Sequence, residues 1–230
     1  MKNKGYFLPV SIIIAAILIS GSVIWSVGKK GDTAEKNTNT QNQSQEIEPV
    51  SESDYIRGDM SDSVKIIEYS DPECPYCSDF HTTMKKIVDD YDQVAWVYRH
   101  FPMDNLHSKA RTEITATECA NDLGGRDIFW GYLDRLYEVT PSNNGLDLDR
   151  LPEIAQYVGL DKDEFNNCLE SDKFDEKIEA QYQDAVQSGA KGTPYVLVMK
   201  DNKVLGTLPG ALSYEQMTSI IDQVLAEDNN

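Results

Sequence analysis

Positive charge is scarce in this chain: 21 Lys and Arg stand against 39 Asp and Glu, for a formal net charge of -18. A nucleic-acid surface has to be basic, so that class of partner is excluded. The same charge discourages close approach to anionic lipid headgroups, and its simplest use is solubility outside the cell. Metal-binding patterns are also missing. No two of His81, His100 and His107 have the spacing of ligands on one face, and they are expected as surface or packing residues. No D-x-D-x-D-G loop offers a calcium site, and no Met-rich or His-rich tract marks a metal carrier. There is no internal repeat and no long apolar heptad run that would build a dimerisation stalk, so a monomer is expected.

Long apolar stretches are confined to the N-terminus. After Lys2 and Lys4 an uncharged run extends from Gly5 to Gly28, closed by Lys29 and Lys30. It is long enough to cross a bilayer as a helix, with Trp25 at its outer interface and a short cytoplasmic tail before it. The alternative is a cleaved signal peptide, since Ser20 and Ser22 have the spacing of a cleavage site. The apolar run continues past that site through Val23, Ile24 and Trp25, which favours a retained anchor over residues 1–30. No cysteine near its end permits a lipoprotein anchor. In either case the rest of the chain is expected to be extracytoplasmic, where disulfides persist. Residues 31–53 are polar, with Asn37 to Gln45 offering almost nothing to bury, and read as a disordered linker. Residues 54–230 then form the folded domain.

Four cysteines are present, and two of them carry the chemistry. Cys74-Pro75-Tyr76-Cys77 follows a strand-like run, Val64 to Tyr69, and opens an amphipathic helix whose apolar stripe is Cys77, Phe80, Met84, Ile87, Val88 and Tyr91. Pro75 suits the first helical position, where its missing N–H costs nothing, so Cys74 falls at the N-cap. There its sulfur would take the place of a capping oxygen, accepting from first-turn amides at the positive end of the helix dipole. Such sites lower a cysteine pKa from about 8.5 toward roughly 3.5–7.5. A helix end contributes only about 0.3–1 kcal/mol against about 1.4 kcal/mol per unit, so direct hydrogen bonds must carry most of the shift. Cys74 is therefore expected as an exposed nucleophile and Cys77, one turn in, as the resolving thiol. The alternative is a zinc pair, but no second ligand pair of matching spacing is present.

Val94 to Phe101 reads as a second strand, completing a βαβ unit with a parallel pair. Lys109 to Leu123, Ile128 to Val139, Leu148 to Val158, Lys162 to Leu169 and Phe174 to Ser188 read as helices, a helical insertion at about 105–190. Tyr195 to Met199 and Lys203 to Gly206 pair across Asp201-Asn202 as a hairpin, and Ser213 with Gln216 is a capping box for a last helix. Trp96 and Trp130 are expected in the core.

The string Ile67-Glu68-Tyr69-Ser70-Asp71-Pro72-Glu73-Cys74-Pro75-Tyr76-Cys77, with Tyr98-Arg99-His100-Phe101-Pro102 and Gly192-Thr193-Pro194, resembles the DsbA-like thioredoxin-fold oxidoreductases, especially the membrane-anchored, BdbD-like members. The resemblance runs from about Tyr55 to the last helix. It implies an α/β thioredoxin fold interrupted by a helical domain, with Pro194 in the cis form beside the two cysteines; from composition alone an ordinary trans proline opening a strand is the alternative. It also implies that Thr193, Pro194, Pro75 and Tyr76 contact substrate, Thr193 by pairing with a peptide as an added strand. Glu68 stands where these families carry an acidic group beneath the active site. A buried carboxyl there could relay a proton to or from Cys77, the alternative being a solvated edge glutamate. Tyr76 replaces the His of the strongest oxidants and adds no cation, so a less oxidising disulfide is expected.

Cys119 and Cys168 are the even remainder, and in an exported protein they suggest a structural disulfide worth roughly 4 kcal/mol for a loop of about fifty residues; two separate buried thiols are the alternative. The expected activity is thiol:disulfide exchange, with the Cys74–Cys77 disulfide donated to cysteine-containing exported proteins and no cofactor beyond that disulfide. Reoxidation by a membrane partner of the DsbB or VKOR type is what the resemblance implies. A disulfide reductase or isomerase is the alternative within the same chemistry, and a metal-binding thiol carrier the alternative from another class.

Overall fold

The computed structural model describes residues 47–226, so the anchor or signal expected over residues 1–30 lies outside the described residues, as does most of the linker. Among the described residues no helix is long and apolar enough to cross a membrane. Five strands, β1 (Tyr55–Arg57), β2 (Val64–Ser70), β3 (Val94–His100), β4 (Tyr195–Lys200) and β5 (Lys203–Leu208), form one sheet in the order β1-β3-β2-β4-β5. β2 and β3 run parallel, joined by helix α1 (Pro75–Asp90), and the other pairings are antiparallel. β1 is the one strand the sequence reading did not anticipate. Three residues are too few to show a period, and Tyr55, Ile56 and Arg57 are held by pairing with Tyr98, Val97 and Trp96.

Both faces of β2 and β3 are covered, so the alternation along them sorts side chains between two cores rather than between core and water. Val64, Ile66, Trp96, Tyr98, Val196 and Val198 face one core with Phe80, Met84 and Ile87 of α1. The last helix, α7 (Tyr214–Ala226), closes the same core with Met217, Ile221 and Val224. Its capping box forms, with Ser213 N–H donating to Gln216 Oε1 at 2.9 Å and Gln216 N–H donating to Ser213 Oγ at 3.4 Å. Ile67, Tyr69, Ala95, Val97, Leu197 and Met199 face the opposite core.

The helical region consists of α2 (Ala110–Gly124), α3 (Arg126–Val139), α4 (Leu151–Tyr157), α5 (Lys162–Leu169) and α6 (Asp175–Gln187). The region expected as an insertion at about 105–190 divides in two. α2 to α5 build a core of their own around Ile114, Leu136, Leu151 and Phe165, whereas α6 adds Ile178 to that core and presents Ala185 and Tyr182 to the second face of the sheet. α3 joins the two parts: Phe129, Leu133 and Tyr137, at helical spacing, enter the sheet core, and Tyr132 and Leu136 enter the helical one. Cys119 and Cys168 are bridged, tying α2 to α5 across a sequence separation of 49.

The linker expected through Ser53 ends earlier than that. Ile47 and Val50 pack on the sheet, and Glu48 N–H donates to Asp184 Oδ1 at 2.8 Å. The buried Arg99 guanidinium reaches Asp54, Asp184 and the Pro49 carbonyl. Two apolar residues in an otherwise polar stretch are enough to dock it, a signal that composition averages hide.

Replacing both Cys119 and Cys168 with Ser is expected to lower unfolding stability by roughly 2–4 kcal/mol, because the unfolded chain regains the entropy of an open loop. Urea unfolding of the pair variant beside the parent measures it; an unchanged midpoint would contradict a stabilising role for the bridge.

Candidate active site

Cys74 caps α1 with extended backbone (φ -81°, ψ 121°) and Pro75 begins the helix. Cys77 N–H and Ser78 N–H donate to Cys74 O at 3.1 and 3.2 Å, closing the first turn. Both Cys74 and Cys77 are free thiols. The register of β2 on β4 places Tyr69 opposite Tyr195, so the segment leading into Cys74 runs beside the start of β4. The Thr193–Pro194 peptide there is cis, and the Cys74 thiol donates to the Thr193 carbonyl at 3.4 Å.

Two expectations for Cys74 need correction. It is not an exposed thiol: only 5% of its surface is accessible, while Tyr76 beside it is 65% exposed. Nor does its side chain make a capping hydrogen bond of ordinary geometry: the sulfur is engaged mainly with Cys77 and Thr193, and the first-turn amides act on it only weakly. The Cys74 pKa is lowered to about 6, first by a hydrogen bond from the Cys77 thiol, against burial, which raises it, and then by the Thr193 side chain. The Cys77 and Tyr76 amides add less. Cys77 is wholly buried, and burial holds its pKa well above that of a free thiol, with the Cys74 hydrogen bond and the charge of Glu68 pushing the same way. Two cysteines three residues apart are thereby driven in opposite directions.

Glu68 is also wholly buried and shares a sheet face with Ile66, which excludes the solvated-edge alternative. Ser70 Oγ donates to its Oε1 at 2.7 Å and Trp96 Nε1 to its Oε2 at 3.0 Å. Burial pushes its pKa up to about 8, opposed by the Ser70 and Trp96 hydrogen bonds, which favour the anion. Ser70 Oγ lies 3.1 Å from the hydroxyl of Tyr137, which also donates to Asp71 O at 3.3 Å. Sequence reading missed Ser70 and Tyr137. Ser70 was accessible to it, being two residues from Glu68 on the same face of a strand, whereas nothing in α3 says which apolar face meets the sheet.

A second acidic group, also missed, adjoins Cys74. Glu73 is buried against Glu113 of α2, and its carboxylate accepts from the Asn144 backbone N–H. Burial, then the contact with Glu73, pushes Glu113 up to about 10. The Glu73 carbonyl accepts from Asn143 N–H at 2.8 Å. Ser142, Asn143 and Asn144 all have positive φ, an unusual run for residues with side chains. His81, His100 and His107 are buried packing residues paired with Asp134, Glu118 and Asp71. Among the described residues no group of three potential ligands could hold a metal ion.

A family model described as thioredoxin matches residues 50–223. The chain belongs to the thioredoxin family. Within that family its architecture is DsbA-like: it superposes on DsbA2 of Pseudomonas aeruginosa with a TM-score of 0.62 at 25% identity, covering 74% of this chain and 94% of that one. A Rickettsia felis protein provisionally named a protein-disulfide oxidoreductase is 26% identical over 77% of this chain and 62% of its own length. A Na+/H+ antiporter, NhaA 3 of Salinispora tropica, is 31% identical over 63% of this chain, but the match spans only 21% of the antiporter's length. This thioredoxin-family chain thus corresponds to about a fifth of that relative.

The buried acid makes stability depend on pH in the dithiol form. Folded Glu68 keeps its proton up to about 8, whereas in the unfolded chain it loses it near 4.3, so between those values folding takes up a proton and this contribution is lost as pH rises. Glu68→Gln removes that dependence. Its stability relative to the parent is expected to grow between pH 5 and 8, by at most about 1.4 kcal/mol per pH unit. Urea unfolding in reductant across that range gives the slope, and a flat difference would show that Glu68 ionises normally.

Proposed function

We propose that this protein is an extracytoplasmic thiol:disulfide oxidoreductase that donates a Cys74–Cys77 disulfide to cysteine-containing exported proteins. The observation that carries the reading is the opposite displacement of the two thiols, one pKa lowered to about 6 and the other raised, beside a cis Thr193–Pro194 peptide. In the forward direction a substrate thiolate attacks the Cys74 sulfur of the enzyme disulfide, forming a mixed disulfide while Cys77 leaves. Cys77 is a poor leaving group as an anion in its buried setting, and the proton it needs comes from Glu68. The substrate's second thiolate then attacks the substrate sulfur of the mixed disulfide, and Cys74 leaves as a thiolate that its neighbours already stabilise. Two electrons pass from the substrate dithiol to the enzyme. Of the two substrate thiol protons, the equivalent of one ends on Cys77 through Glu68, and at neutral pH the other goes to solvent.

In this account Thr193 and Pro194, with Pro75 and the exposed Tyr76, form the surface that meets the substrate chain, the Thr193 backbone pairing with it as an added strand. The uncharged run at residues 5–28 would anchor the domain to the membrane. A membrane partner of the DsbB or VKOR type would return the dithiol to the disulfide, and no further cofactor takes part. Reduction or isomerisation by the dithiol form is the second reading, favoured by the absence of a cation at Tyr76.

The full chain carrying Cys77→Ser, with its Cys74 first joined to glutathione, should capture a reduced cysteine peptide as a stable mixed disulfide at Cys74, visible by mass spectrometry. Cys74→Ser treated in the same way should capture none. Equal capture by both variants would end the assignment of Cys74 as the nucleophile.

A further inference from the structure

We propose that Ser70 and Tyr137 are positioning residues for Glu68: their hydroxyls form a reversible hydrogen-bond chain that keeps this buried carboxyl partnered in both its anionic and its protonated state. The inference rests on the reading above in one respect, that Glu68 exchanges a proton with Cys77. The difficulty it addresses is general. A carboxyl sealed from water and required to change protonation needs a donor when it is an anion and an acceptor when it carries a proton.

A hydroxyl can be either, because it has one proton and two lone pairs. With Glu68 anionic, Ser70 donates to Glu68 Oε1 at 2.7 Å, and Tyr137, 3.1 Å from Ser70 Oγ, donates to Ser70. With Glu68 protonated, its O–H donates to Ser70 Oγ, Ser70 turns its own proton to the Tyr137 oxygen, and Tyr137 turns its proton to the Asp71 carbonyl at 3.3 Å. Two hydroxyl hydrogens reorient and no heavy atom has to move. The other carboxyl oxygen cannot take part in the same way, since Trp96 Nε1, 3.0 Å from Oε2, is a donor only. The proton is therefore directed to Oε1, the oxygen at the end of the chain.

The remaining groups around Glu68 do not offer this reversal. Cys74 and Cys77, at the start of α1, are the reacting thiols. Tyr98 of β3 brings its hydroxyl close to those of Ser70 and Tyr137, but it makes no hydrogen bond of ordinary geometry and so is not a link in the chain. His81 of α1 stacks its ring against Trp96 and Tyr137 while its Nε2 pairs with Asp134 at 2.7 Å. Val196 of β4, the cross-strand neighbour of Glu68, is apolar. Tyr137 enters from α3, so a residue of the helical region takes part in the proton chemistry of the sheet.

In the step concerned, Cys77 gives its proton to Glu68 and the resulting thiolate attacks the Cys74 sulfur of a Cys74–glutathione mixed disulfide. The Cys74–Cys77 bond forms, the bond to glutathione breaks, and the departing glutathione thiolate takes a proton from water. Two measurements on the full chain test the chain of hydroxyls: the carboxyl titration of Glu68 by carbon-13 NMR, with Glu68→Gln identifying the resonance, and the pH midpoint of this closure. Ser70→Ala removes a donor to the anion and should raise the Glu68 midpoint by about one pH unit, a tenfold weaker acid. Tyr137→Phe keeps the ring but removes the donor that polarises Ser70, so it should raise the midpoint by less, and should do nothing further in a Ser70→Ala background.

A merely structural tyrosine would lower stability without moving either midpoint. The proposal is overturned if Tyr137→Phe leaves the Glu68 midpoint at the parent value, or shifts it equally with and without Ser70. If the parent never closes the mixed disulfide, the oxidoreductase reading falls, and the carboxyl titration still decides the role of the two hydroxyls.

Discussion

The hydrogen bond from the Cys77 thiol to Cys74 is the interaction on which the site depends, since it is the largest influence lowering Cys74 and one of those raising Cys77. It exists because α1 begins with Pro75, which fixes one turn between the two sulfurs and turns Cys77 onto the buried stripe of the helix. Everything around it holds that geometry from a different side. β2 delivers Cys74 from the middle of the sheet, the antiparallel register with β4 brings Thr193 against it, and Glu68 lies close enough to Cys77 for its charge to act on the thiol. α3 closes that core and is itself tied to the helical region, so the Cys119–Cys168 bridge supports the site at one remove.

The donors that stabilise a Cys74 thiolate are neutral: a thiol, a threonine side chain and two amides. That decides the redox character. A thiol near pKa 7 accompanies about -270 mV in thioredoxin and one near 3.5 accompanies about -120 mV in DsbA. A Cys74 at about 6 then places the Cys74–Cys77 couple between those two. Structural disulfides of secreted proteins lie below about -300 mV, so on the proposed reading transfer to a substrate dithiol is downhill anywhere in that range. A cation beside the thiolate is not required for donation, only for donation to more oxidising acceptors. On that reading Tyr76 weakens the oxidant without reversing the direction of exchange.

Much of the fold was legible in the residues because its signals are local and periodic. The strand-like run Val64 to Tyr69, Pro75 after Cys74, the Asp201-Asn202 turn and the Ser213-Gln216 capping box each specify one element without reference to the rest, and the elements lie close to where those signals put them. What was not legible is tertiary. β1 is a strand only because β3 pairs with it. α6 looks like its helical neighbours in sequence, yet beyond Ile178 it packs on the sheet. In the site, a lone C-x-x-C fixes the spacing of two thiols but not their accessibility, and Cys74 turns out nearly buried. Glu113 and Tyr137 come from the helical region, and their meeting with Glu73 and Ser70 depends on how α2 and α3 dock, which no local pattern encodes.

The reduction potential of the Cys74–Cys77 couple, obtained by equilibrating the protein with glutathione and trapping the thiols, bears most directly on a Cys74 thiolate held by neutral donors alone. The expected value lies between about -270 and about -120 mV, well short of the latter. A value near -120 mV would mean that Cys74 is stabilised far more than its neighbours can supply, and one below about -300 mV would mean that it is not stabilised and cannot oxidise an exported dithiol.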